Sequence, residues 1–185
     1  MDHLARQAWM LRHPLSTLSL RRQVSMSGQT NRDECKRFIQ GWLKTVVRLG
    51  HAKSSYDIIL MDQGFLQTLW AIGYRANPSA WPPIRRHLLR LMPVPNAVIL
   101  VEASPHTAAK RLTARPGSAS RLEQDGPHHT SVMQHAQQLT DQIKQALSSD
   151  VSSWTNTRIL TFNNDRDNDH NPSLQEIVAK LKHLN

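Results

Sequence analysis

Two short runs of consecutive apolar residues limit the fold of this chain more than any other feature. Ile58-Ile59-Leu60-Met61 lies between Tyr56-Asp57 and Asp62, and Ala97-Val98-Ile99-Leu100-Val101 is closed by Glu102. Both are too short for helices and lack the alternation of a half-exposed strand. They fit strands buried on both faces of a parallel sheet covered by helices. A third run, Thr157-Arg158-Ile159-Leu160-Thr161-Phe162, ends in Asn163-Asn164 and a group of acids. The predicted fold class is therefore α/β, a parallel sheet with helices on both faces. Right-handed crossovers in such a sheet put functional groups at the strands' carboxyl ends, here after Asp62, Glu102 and Phe162.

The segments between these runs read as helices and loops. Leu4, Ala8 and Leu11 predict a helix over 3–12, and residues 14–30 show no clear period. A stripe of Cys35, Phe38, Ile39, Trp42, Leu43, Val46 and Val47 predicts a helix from Asn31 or Asp33 to Leu49, stopped by Gly50. Phe65, Leu66, Leu69, Trp70 and Ile72 predict a helix after Gly64. Pro78, Pro82 and Pro83 predict a loop over 77–83, before a helix over 84–92. Ser104-Pro105 reads as an N-cap followed by proline at the first helical position, opening a helix to about residue 115. A polar loop over 116–126 follows, then a long helix with Val132, Ala136, Leu139, Ile143 and Leu147 inward. A closing helix is predicted over 172–184.

Composition narrows the class. With 185 residues and 39% apolar content, the chain is long enough for one compact domain, or two small ones at most, and needs no staples; a single domain over 1–185 is expected. The lone Cys35 excludes an internal disulfide framework and paired-thiolate zinc sites. No apolar run approaches the roughly 20 residues of a membrane span. The start, Met1-Asp2-His3-Leu4-Ala5-Arg6, has no signal-like apolar region. The expectation is a cytoplasmic protein with no membrane partner. The net charge of +9 is arginine-led, with 16 Arg and 7 Lys. Residues 1–122 carry 18 basic and 6 acidic side chains, and the remainder 5 and 8. A basic first two-thirds suits polyanions, and arginine favours bidentate phosphate contacts; it is equally the pattern of a solvated basic surface.

Arg111-Leu-Thr-Ala-Arg115-Pro-Gly-Ser-Ala-Ser-Arg121-Leu-Glu123 is the most specific stretch. Arg111 and Arg115 share a helix face near a C-terminus, and Arg121 follows on the loop. Three guanidinium groups there could close over phosphates, or simply cap the helix. Asp62, at the tip of a predicted buried strand, faces a polar cleft, a metal or a partner, or caps the next helix.

In this order the elements resemble P-loop kinases of the thymidylate and nucleoside monophosphate kinase type, over residues 32–184. Residues 56–64 resemble the Walker B strand and its acid, and 98–123 the next strand, helix and LID, the LID-like segment spanning 111–126. Residues 157–164 resemble the last strand and the loop bordering the adenine, which brings in Asn163 and Asn164. The resemblance implies that Asp62 serves magnesium or the acceptor, that Arg111, Arg115 and Arg121 serve phosphates, and that Gln67 faces the acceptor nucleoside.

The family's first strand and its G-x-x-x-x-G-K-S/T loop are missing: the seven glycines precede Gln, Trp, His, Phe, Tyr, Ser and Pro. Asp62-Gln63 also stands where thymidylate kinases usually place Asp-Arg. The chain thus reads as the C-terminal portion of a kinase-like protein, lacking its central first strand and inactive as given. ATP and Mg2+ are expected as cofactors only when the phosphate loop is supplied, with a nucleotide or other small molecule as acceptor. Unpaired strand edges predict low solubility or an obligate partner; a homo-oligomer is a separate expectation. The alternative is a non-catalytic basic protein that binds nucleic acid or a protein partner. Against nucleic acid stands the lack of a helix-turn-helix, zinc-finger or RNP signature. The ten histidines include no pair at the spacing of a helical zinc site.

Overall fold

The computed structural model describes residues 2–56, 59–61, 64–114, 121–126, 130–149, 154–165 and 179. Along these run α1 (Asp2–Arg12), α2 (Pro14–Met26), α3 (Arg32–Lys53), α4 (Phe65–Tyr74), α5 (Trp81–Leu91), β1 (Ala97–Glu102), α6 (Pro105–Thr113), α7 (Arg121–Gln124), α8 (Thr130–Ser149) and β2 (Arg158–Asn163). They fall into two compact units. The first is Met1–Pro93 with Leu139–Ser152, and the second Val94–Gln138 with Ser153–Asn185. Helix α8 gives its second half to the first unit and its first half to the second.

The predicted α/β class is corrected. The described residues are mostly helical, and their sheet has two strands, β1 and β2, paired in parallel. The run expected to form the first strand does not do so where it is described. Ile59, Leu60 and Met61 have no regular structure, and Leu60 is 82% exposed. A four-residue apolar run becomes a strand only if neighbours take its backbone polar groups, and periodicity cannot report whether they exist. The predicted helix over 172–184 lies outside the described residues except at Ala179, which is helical.

The first unit is helical. Asn31 caps α3, its side chain accepting the Glu34 N–H at 2.8 Å while Glu34 Oε2 accepts the Thr30 N–H at 3.2 Å, much as in a capping box. Gly50 does not end α3, which runs to Lys53. Trp42 and Leu43 are buried, and Trp42 meets Phe65 of α4 edge-on at 5.1 Å. Helices α1, α2 and α4 pack on α3, and α5 on α2 and α4. Helix α2 went unpredicted because its buried stripe of Thr17, Leu20 and Val24 includes a threonine, while Leu15 and Leu18 point outward. Helix α5 begins three residues before the predicted start. Pro82 and Pro83 sit in its first turn, where their missing N–H groups would have had no intrahelical partner.

Two glycines have steric reasons. A Cβ on Gly73 would lie 2.5 Å from Trp81 Cζ2 and 2.8 Å from Leu139 Cδ1, so α4 approaches these groups only without one. Gly28 has φ +81° and turns the chain after α2, where Ser27 O accepts the Asn77 N–H at 2.9 Å.

In the second unit β1 and β2 pair from Ala97 with Arg158 to Glu102 with Asn163. Val98, Phe162 and Trp154 are buried. Thr157 Oγ1 donates to Pro95 O at 2.9 Å and Arg158 N–H to Asn96 O at 3.0 Å, which fixes the start of the pairing. Buried Met133 and Ala136 on α8 belong to this unit, and buried Leu139, Ile143, Ala146 and Leu147 to the first.

Candidate functional site

Parallel pairing brings the chain after β1 beside the chain after β2. Ser104 caps α6 as its sequence predicts: Oγ accepts the Thr107 N–H at 3.2 Å, and Pro105 opens the helix. The Asn164 N–H donates to Glu102 O at 2.6 Å, continuing the ladder one step past the sheet. Asp165 then turns back. Its N–H donates to Asn163 Oδ1 at 2.8 Å, and its Oδ1 accepts the Ser104 N–H. That backbone bond, more than any other contact, holds the Asp165 carboxyl below the ordinary carboxylate value, with the Ser104, Thr107 and Asn163 side chains adding to it. A carboxylate there also lies favourably at the positive end of α6.

Two of the three predicted clusters therefore meet, residues 102–104 and 163–165. Asn163 is exposed and Asn164 half-buried, leaving amide groups at the rim of this end. Arg111 lies half-exposed in the last turn of α6, which packs on α7. Arg121 opens α7. Gln67 is exposed on α4, in the first unit, whereas residues 102–104 and 163–165 belong to the second. Asp62 and Arg115 lie outside the described residues.

Sequence reasoning missed Asp165 as an individual residue and saw only a run of acids. The available signal was its place just beyond a strand that pairs beside a Ser-capped helix start. Its chemical effect is specific: the anion position at the N-terminus of α6 is filled by the chain's own carboxylate. Among the described residues no three His, Cys, Asp or Glu side chains group as metal ligands.

A second polar surface lies on α3. Arg37, Lys44 and Arg48 are exposed and fall on one face, opposite the buried Trp42 and Leu43. At about 1.5 Å per residue this row is about 16 Å long. The Lys36–Asp33 ion pair beside it, 3.1 Å long and open to solvent, adds little stability. No helix among the described residues is long and apolar enough to cross a membrane. Comparison with protein-family models, curated proteins and solved structures finds no match.

Proposed function

We propose that this chain binds a nucleotide at the carboxyl end of the β1–β2 pair, in the manner of a nucleoside or nucleotide kinase, and that these 185 residues bind without turnover. The observation that supports this reading is the meeting of residues 102–104 with 163–165 at one end of a parallel pair, the position favoured by ligands of such strands. Asn163 and Asn164 supply donors and acceptors for a base and ribose. Asp165 already occupies the N-terminal end of α6, so phosphates extend toward Arg111, about 9 Å further along the helix at 1.5 Å per residue, and toward Arg121. Asp62, which lies outside the described residues, is proposed on sequence resemblance alone to serve magnesium, and Gln67 the acceptor nucleoside. Magnesium, carried with ATP, would supply charge neutralisation. No proton or phosphoryl step is assigned to the described residues: the G-x-x-x-x-G-K-S/T loop with which P-loop kinases hold the phosphates is not in this sequence.

Thermal unfolding with Mg-ATP tests the reading. At ligand about tenfold above Kd the stabilisation is about 1.4 kcal/mol, a rise of about 3–5 °C for a chain of this size. Arg111→Ala and Asn164→Ala are expected to remove most of that rise, and no shift up to about 10 mM nucleotide would refute it.

A second reading has its own support. The row of Arg37, Lys44 and Arg48 suits a non-catalytic basic protein that binds nucleic acid through phosphates. Three such contacts would give a log–log salt slope of about −2 to −3. Lys44→Glu with Arg48→Glu is expected to abolish oligonucleotide retention under this reading. Retention that survives those substitutions removes it.

A further inference from the structure

Helices α1 and α2 each carry a second apolar face that the first unit does not use. The inward stripe of α2 is Thr17, Leu20 and Val24, all buried. Its outward stripe is Leu15, Leu18, Arg22 and Met26, spaced i, i+3, i+7 and i+11. Helix α1 turns Leu4, Ala8 and Leu11 outward, spaced i, i+4 and i+7. Leu4, Leu11, Leu15 and Leu18 are 76%, 82%, 81% and 62% exposed. Of the ten large apolar side chains exposed among the described residues, five lie on these two helices, so this is a patch rather than scatter. Between the helices runs an open groove of about 490 Å³, walled by Met10, Leu11, Pro14, Thr17, Leu18 and Arg21. The corner is fixed, with Trp9 and His13 rings 4.6 Å apart and Thr17 Oγ1 donating to His13 O at 2.9 Å.

Charge and backbone chemistry select the occupant. The two helices hold Arg6, Arg12, Arg21 and Arg22 against the single acid Asp2. Arg12, Arg21 and Arg22 are exposed, and Arg21 Nη2 reaches Met10 Sδ at 3.9 Å across the groove wall. A second copy would set arginines against arginines. An extended peptide would find no backbone partners, because the main chain of α1 and α2 is bonded within its helices. A helix arrives with its own backbone satisfied, inserts apolar anchors at i, i+3, i+4 and i+7, and meets the arginines with flanking acids.

We propose that the α1–α2 groove is a docking site for an acidic amphipathic helix of a partner protein. The test uses the full chain and a fluorescent synthetic peptide of about 20 residues, with leucines on one face and glutamates elsewhere. The peptide is expected to bind saturably, and the same peptide with lysine for each glutamate to bind at least about tenfold more weakly. Leu11→Gln with Leu18→Gln should weaken binding by about tenfold or more, and Arg12→Glu with Arg22→Glu by a similar factor. These side chains are exposed, so circular dichroism and melting should stay unchanged. Should the double glutamine variant fail to fold, the Arg12→Glu with Arg22→Glu variant carries the test, since it removes the charge that selects the acidic peptide. No peptide binding, or binding unaffected by both double substitutions, overturns the proposal. So does a leucine-dependent dimer in sedimentation without peptide binding. Leucine-dependent binding to phosphatidylserine vesicles without peptide binding overturns it as well.

Discussion

The two units differ in what holds them together. Of the 23 buried apolar side chains among the described residues, 18 belong to the first unit and 5 to the second. The first is a helical core built round Trp42, Leu69, Ile72, Trp81 and Leu88, whose stability comes from removing apolar surface from water. The second is a two-strand pair whose far end is organised by the Ser104 cap and the Asp165 carboxylate. Burial is cooperative and insensitive to pH, whereas local hydrogen bonds are directional and titratable. The stable unit carries the structure, and the polar one carries the candidate nucleotide chemistry.

That contrast breaks most readily in the helical core. Trp42→Ala removes a fully buried ring and should cost about 3–5 kcal/mol in denaturant unfolding. A cost under about 1 kcal/mol would mean that the first unit is not the stabilising one. Gly73→Ala should cost about 1–3 kcal/mol, because the new methyl meets the Trp81 ring and Leu139. A neutral result there would show that α4 and α5 can separate freely.

In the second unit Ser104→Ala should cost about 1 kcal/mol through the lost cap, with faster hydrogen exchange in α6 and unchanged protection in α3. Asp165 sharpens the comparison by pH. Its folded carboxyl lies below the ordinary value of 3.8, so its contribution is complete above that value and is lost as pH falls through the lower folded one. Acid titration followed by NMR should give Asp165 a depressed midpoint, and Asp165→Asn should remove the accompanying shift of the Ser104 amide. An ordinary midpoint would mean the Ser104 bond does not persist in solution. The smallest effect belongs to Leu60→Ser, within about 0.5 kcal/mol for an exposed side chain. A loss of about 2 kcal/mol or more would restore this run to the core.

Legibility in the sequence followed the same division. Long apolar stripes made α3, α4 and α8 readable, because burial on one helix face leaves a period in the residues. The Ser104-Pro105 start of α6 and the strand over 97–102 were readable from local chemistry. Helix α2 was hidden by a threonine on its buried stripe and leucines on its exposed one. The run at 58–61 misled because an apolar tetrapeptide says nothing about whether a pairing strand stands beside it. Asn163 and Asn164, at the carboxyl end of β2, and Arg111, in the last turn of α6, were expected from the resemblance to P-loop kinases. The role of Asp165 was not, since it depends on a strand pairing that brings residues 61 positions apart together.

The central claim, that the carboxyl end of β1–β2 receives a nucleotide, is tested most directly by amide chemical-shift mapping during a Mg-ATP titration. The account predicts saturable shifts at residues 102–104, at Arg111 and at residues 163–165, with α3 unmoved. Shifts concentrated on Arg37, Lys44 and Arg48, or none up to about 10 mM, would contradict it.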